Sequence, residues 1–306
     1  MKTDASNLIH GHGVSLITPF NPTGEVDYPA LERLAKNLMV SKVDFIVVLG
    51  HASEAALLDD DEQVRVMDFI SEINRGTKKL VGGVASTSTR NAIRRVSAFN
   101  QRDFAAIFCG TPSPKASSNS GYVGHYRSIA QASPLPILMH HDGSGISHSE
   151  WVLEMAQEHN IAGVVDESGS VELMDMWLHN RPTGFSLLTA RDAMALPLFA
   201  LGIDGAISTI GNAFPEAFGE MIDLLAFGAI NDARLRHHEL APLMRLMEQE
   251  GSPTAIKSIL AQLQRCSSSV RLPNTPVSDT TQRSLYRALA QLPRDISATL
   301  LGQSNN

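Results

Sequence analysis

Ile161-Ala162-Gly163-Val164-Val165-Asp166-Glu167-Ser168-Gly169-Ser170 decides how the chain is read. An apolar run of this length, closed by turn residues, reads as a short buried strand. It ends in two carboxylates and a Ser-Gly turn, and the residues from about Val171 to His179 read as a helix. In parallel α/β folds, chemistry is placed at the carboxyl ends of the strands. Side chains alternate along a strand, so Val165 and Glu167 share one face. Asp166, next to the coming helix, suits a capping role.

The same strand-then-helix unit recurs on both sides. Before it come apolar runs at 13–17, 43–49, 80–84, 104–109 and 136–139, and helical spacing at 28–40, 89–100, 122–131 and 150–158. Asp59, Asp60 and Asp61 open a helix that carries Val64, Met67, Ile70 and Ile73, and acidic residues there suit the helix dipole. After it come strands at 185–188 and 205–208 and helices at 191–201 and 215–227. Eight such units predict a parallel sheet with right-handed crossovers, closed into a (β/α)8 TIM barrel. An open doubly wound sheet competes, but no Gly-x-Gly-x-x-Gly follows the first strand. Beyond Gly228 only helices are expected, at 232–249, 254–265 and 282–291. The division is therefore a barrel with a short N-terminal lead over 1–227 and a C-terminal helical extension packed on it over 228–306.

The bulk properties narrow the function. Of 306 residues, 43% are hydrophobic and 19% charged, an ordinary globular balance, and the net charge is -7. No dense Lys/Arg run suggests a nucleic-acid partner. Arg90, Arg94 and Arg95 read as a solvated helix face. No apolar run approaches the roughly 20 residues that span a bilayer. The first ten residues show no apolar signal region, which points to the cytoplasm. Cys109 lies in an apolar run and reads as a small buried hydrophobe. Cys266 is far from it, so no disulfide framework is expected.

Several motifs then fall into one order. They are Thr18-Pro19-Phe20, Gly24-x-Val26-Asp27, Gly50-His51-Ala52-Ser53-Glu54, Thr111-Pro112-Ser113-Pro114, Pro136-Ile137-Leu138-Met139-His140-His141, Gly205-Ala206-Ile207-Ser208, Pro253-Thr254-Ala255-Ile256-Lys257 and Val270-Arg271-Leu272-Pro273. In this order and spacing the chain resembles the dihydrodipicolinate synthase / N-acetylneuraminate lyase family from about Gly13 to Leu272. That resemblance implies a barrel, a small carbonyl or carboxylate substrate, and a homotetramer or homodimer. It also implies a lysine on the sixth strand that forms a Schiff base with a 2-oxo acid.

The departures from the family cluster at its chemistry. Where the family's sixth strand reads Gly-Ile-Lys-Glu-Ala-Ser-Gly-Asp, this chain has Val165 at the lysine. His140 stands at the proton-relay tyrosine and His51 at the hydroxyl that partners it. Pro114 stands at a tyrosine shared between subunits, and Gly145 lies near a carboxylate-holding arginine. Ala52 and Ser53 alter the carboxylate cradle. A valine offers no amine for a Schiff base. Lys115 reads as a solvated loop residue, and Lys257 lies in the appendage, away from the barrel mouth.

The expected catalytic set is His140, His51 and Glu167. Ala52, Ser53, Asp142, Val165 and Ile207 are expected to bind substrate, and Glu54 stands near the set. Two imidazoles with carboxylates suit general acid–base work without a cofactor. They equally suit a divalent metal such as Zn, Mn or Fe. His141 is expected to face the helix layer or a subunit contact. Arg191-Asp192 reads either as a helix start with a salt bridge or as an anion site. Two functions stay open: a lyase of this family without a Schiff base, and a catalytically silent ligand-binding or regulatory homologue.

Overall fold

A computed structural model describes residues 9–296 apart from 85–87, 100, 102, 113–115, 117, 144–149 and 294. Pro114, Lys115 and Gly145 therefore lie outside the described residues.

Eight parallel strands close into one barrel in sequence order. They are β1 (Gly11–Ser15), β2 (Phe45–Val48), β3 (Lys79–Val84), β4 (Ala106–Cys109), β5 (Ile137–His141), β6 (Ile161–Asp166), β7 (Ser186–Thr189) and β8 (Gly205–Ser208). β1 pairs with β8 and closes the ring. The outer layer is α1 (Tyr28–Val40), α2 (Asp60–Asn74), α3 (Thr89–Ser97), α4 (Asn119–Ala132), α5 (Glu150–Met155), α6 (Val171–Asn180), α7 (Ala195–Leu201) and α8 (Pro215–Ala226). The (β/α)8 barrel is thus the fold, followed by α9 (Ile230–Glu250), α10 (Ser252–Gln262) and α11 (Asp279–Ala290).

Two apolar cores follow from the alternation of side chains along each strand. One fills the barrel interior with Val47, Val81, Phe108, Leu138, Val165, Leu188 and Ile207. The other lies between the strands and the helices and runs on into α9, α10 and α11.

Some local expectations need correction. β5 continues through both histidines, because the ladder with β6 pairs His140 with Val165 and His141 with Asp166. The core face of α2 is Gln63, Val66, Ile70 and Asn74, while Val64 is 58% exposed. The helix starts in a capping box, in which the Asp59 side chain accepts from Glu62 N–H and Glu62 reaches back to the Asp59 N–H. The helix after β7 opens as a short 3-10 turn at Asp192–Met194.

The C-terminal helices are joined to the barrel mouth by charge as well as packing. Lys257 Nζ lies 2.6 Å from Glu54 Oε1, and both side chains are wholly buried. The Arg271 N–H and the Asn274 amide donate to the other oxygen of Glu54. The ammonium of Lys257 also sits 3.9 Å over the Phe20 ring. Lys257 is therefore not remote from the mouth, since its partner Glu54 follows β2 directly. No described helix is long and apolar enough to cross a membrane.

Candidate active site

The mouth holds a cavity of about 520 Å³ formed at the carboxyl ends of β2 to β6. Its wall includes His51, Phe108, Thr111, His140, Asp142 and Glu167 on the strand side, and Gln63, Asn91 and Arg95 from α2 and α3. The chain reaches His51 through Leu49, whose φ is +58°. Gly83 makes that turn possible, because a Cβ there would overlap the carbonyl oxygen of Leu49.

His140 and Glu167 meet in this cavity, Nε2 to Oε2 at 3.1 Å. The Thr111 hydroxyl and the Tyr126 phenol both donate to the His140 carbonyl, at 2.8 and 2.9 Å, and fix the end of β5. The Phe108 ring stands 5.1 Å from the imidazole. Burial acts against the charged form of Glu167, but the hydrogen bond and charge of His140, with help from His51 and Arg191, win and hold its carboxyl down at about 2.

His51 approaches from the far side. Its Nε2 lies 3.1 Å from Thr209 Oγ1, and its Nδ1 is buried without a hydrogen-bond partner. Burial lowers its pKa to about 4, with Glu167 opposing and His140 adding to the drop. The imidazole is therefore neutral near pH 7. Thr209 is held in turn by Asp192, whose carboxylate accepts the N–H of Thr209 and of Ile210. Burial pushes Asp192 up to about 7, against those backbone bonds.

The structure gathers His51, His140, Glu167 and Asp142 around one space. It places the other expected residues differently. Val165 and Ile207 belong to the packed barrel interior beneath it. Ala52 and Ser53 are buried behind the wall. Their N–H groups are spent on the Ser15 hydroxyl and the Gly50 carbonyl, so they do not form an open cradle. Glu54 borders the cavity, but its carboxylate is consumed by Lys257, Arg271 and Asn274. Arg191 takes the structural alternative: it pairs with Glu248 on α9 and donates to the Ser168 carbonyl at 2.8 Å. Asp166 does not cap α6, whose N-cap is Ser170. It binds His141 at 2.7 Å and accepts from the Ser168 hydroxyl and the Gly169 N–H.

Thr209, Asn91 and Arg95 were not legible as site residues. Thr209 immediately follows β8, and the rule that strand ends carry chemistry would have found it. Asn91 and Arg95 reach the cavity from a helix and leave no such signal. Among the described residues, no three His, Cys, Asp or Glu side chains are grouped to hold a metal ion.

Comparison with known proteins bears on this arrangement. The model of the dihydrodipicolinate synthetase family matches residues 9–292. The chain belongs to that family. A 4-hydroxy-tetrahydrodipicolinate synthase of Azobacteroides pseudotrichonymphae is 34% identical over 289 residues, covering 92% of this chain and 97% of that protein. One from Parabacteroides distasonis is 33% identical, covering 93% and 97%. Among solved structures, the 4-hydroxy-tetrahydrodipicolinate synthase of Methylacidiphilum fumariolicum SolV superposes with a TM-score of 0.89 at 27% identity, covering 96% of this chain and 99% of that one. The family is one of aldolase-like lyases, and this chain is an enzyme of that kind.

Proposed function

We propose that the protein is a dihydrodipicolinate synthase-like lyase that handles a small carbonyl or carboxylate substrate without a lysine Schiff base. One observation carries the reading: a hydrogen-bonded His140–Glu167 pair stands in the mouth cavity, with His140 paired beside Val165 in the strand register. Described residues lining that cavity include no lysine. His140 moves the proton next to the substrate carbonyl, and the ionised Glu167 stabilises the imidazolium that forms. The neutral His51 shares the cavity wall with this pair and is held at Thr209 through its Nε2. Homo-oligomeric assembly and a cytoplasmic setting belong to the same reading, on the family resemblance alone.

Incubation with pyruvate and borohydride, followed by intact-mass and peptide analysis, tests it. No lysine becomes modified, while the methyl protons of pyruvate exchange in deuterated water. A reduced adduct on any lysine overturns the reading. Binding with neither exchange nor turnover of any carbonyl substrate would favour the silent homologue.

A further inference from the structure

Glu167 stands between two spaces. On one side is the mouth cavity. On the other is a second cavity of about 260 Å³, walled by Arg191 and Asp192 after β7 and by Met244, Met247 and Glu248 of α9. The Glu167 side chain is only partly buried, so packing alone does not decide which way it points. The backbone around it does more. The Glu167 N–H donates to the His141 carbonyl at 2.8 Å and extends the β5–β6 ladder by one bond. The turn that follows is gripped from two directions. From inside, Asp166 accepts the Ser168 hydroxyl and the Gly169 N–H. From outside, Arg191 Nη1 donates to the Ser168 carbonyl at 2.8 Å. The approach is close: a Cβ on Gly169 would lie 2.9 Å from that same nitrogen. The other edge of the guanidinium, Nε and Nη2, donates to one oxygen of Glu248 at 3.1 and 2.9 Å. All three nitrogens are thus engaged, and the group ties the turn beside Glu167 to the last turn of α9.

We propose that Arg191, anchored by Glu248, is a positioning residue that holds Glu167 toward His140, so that the C-terminal helices form part of the catalytic apparatus. The inference rests on the reading of His140 and Glu167 as the reacting pair. Arg191 is not among the residues that line the mouth cavity; it acts through the turn. A planar fork of fixed donors can bridge a carbonyl and a carboxylate on different sides of it, whereas a lysine ammonium on a flexible stem does not hold both. Without the clamp the turn gains freedom, and the Glu167 carboxylate can swing into the second cavity. Burial opposes the charged form of Glu167, and the Arg191 charge adds to the pull of His140 that overcomes it. Displacing a reacting group by about 1 Å from a distant site can slow a reaction by on the order of 100-fold, so a clamp outside the cavity has a measurable consequence.

Two readouts on the intact protein test this. Nitrogen NMR of isotope-labelled histidine at neutral pH reports the His140 Nε2 bond to Glu167, and methyl-proton exchange of pyruvate in deuterated water reports the chemistry. Arg191→Ala and Glu248→Ala both lose the Nε2 signature of that bond and lower kcat for exchange by about tenfold, with KM near native. Glu248→Ala changes a helix-surface residue, 37% exposed, and carries the test independently of how Arg191→Ala folds. Arg191→Lys, which keeps the charge and loses the fork, behaves like Arg191→Ala. Arg127→Ala, which breaks an ion pair of similar exposure between α4 and α5, changes neither readout. A native His140 signal in folded Arg191→Ala and Glu248→Ala, or fully native behaviour of Arg191→Lys, overturns the proposal. That failure is separable from failure of the lyase reading. Exchange that depends on His140 and persists undiminished in Arg191→Ala sinks only the positioning role. An Arg191-dependent His140 signal without any exchange in the native protein sinks only the chemistry.

Discussion

Two histidines at adjacent positions on β5 have nearly the same kind of partner and opposite situations. His140 meets Glu167 at 3.1 Å at the edge of an open cavity, and the Glu167 side chain is 38% exposed. His141 meets Asp166 at 2.7 Å between barrel and helices, both side chains almost fully buried. The His141 ring lies against Trp151 and Trp177. The strand pleat alone sends the two imidazoles to opposite faces. One pair keeps a carboxylate in contact with incoming ligand. The other joins β5 to β6 and fixes the turn that leads into α6. Residue type therefore does not tell function from architecture here; the face does.

The largest expected effect breaks the first pair. His140→Ala lowers any turnover found for this protein by at least about tenfold, within the range ascribed to a positioned acid–base group. Stability stays within about 1 kcal/mol of native, because the freed Glu167 carboxylate is already near water. Steady-state kinetics and urea unfolding read the two quantities. An unfolded His140→Ala, or unchanged turnover, would make His140 as architectural as its neighbour. His141→Ala inverts the pattern. It strips a buried carboxylate of one partner and opens space between two tryptophans, costing about 3 kcal/mol or more in urea unfolding. Kinetics of the fraction that remains folded should be nearly native.

A third imidazole sharpens the contrast through pH. His12 lies at the base of the barrel, with Nδ1 at the Lys42 carbonyl and Nε2 at the Ser208 hydroxyl. Burial lowers its pKa to about 4, against the Lys42 bond and nearby Asp44. Its folded pKa is below the unfolded 6.5, so between the two the unfolded chain binds more protons. Its contribution is complete above about 6.5 and is lost as pH falls toward 4. From pH 7 to pH 5 that loss is about 2 kcal/mol. Urea unfolding at the two values should show a smaller drop for His12→Gln than for the native protein. His51 acts in the same direction. Asp192, raised to about 7, acts in the opposite one. An equal drop in His12→Gln and native protein would assign the acid sensitivity elsewhere.

Most of the fold was legible because each strand–helix unit carries its own local signals: an apolar run, turn chemistry and helical spacing. What escaped depends on contacts distant in sequence. Met67, Ile70 and Ile73 pack against the core as their helical rhythm predicts, yet Val64 is exposed and Gln63 and Asn74 are buried on the inward face of α2. Glu54 looked available at the mouth, but Lys257, 203 residues further on, occupies it. His51, His140 and Glu167 were legible as a set because each stands at or just beyond the end of a strand. For Ala52 and Ser53 only the fold of the loop shows that their N–H groups are already bonded within the chain. Arg95 looked like part of a solvated helix face, and only the position of Gln63 shows it fixed beside the cavity.

The smallest expected change in activity comes from Val165→Lys, which restores the residue that the family resemblance assigns to this strand position. Val165 is fully buried among Leu138, Leu188 and Ile207. A lysine there would lay its stem along that apolar floor and raise its ammonium toward His140 and Glu167. Desolvation would favour the free amine, but Glu167, held ionised at about 2, sits within reach and would keep the new group protonated. A protonated amine does not attack a carbonyl. On the family resemblance His140 and His51 stand at the proton-relay tyrosine and its hydroxyl partner, and the described residues lining the cavity include no phenol to carry the subsequent protons. The variant should therefore give no reducible pyruvate adduct and no new turnover, at a stability cost of about 1–3 kcal/mol from placing a longer, polar side chain in a packed interior. Adduct formation in Val165→Lys, but not in the native protein, would show that the mouth still supports Schiff-base chemistry. His140 and Glu167 would then have been added to the old site rather than substituted for it.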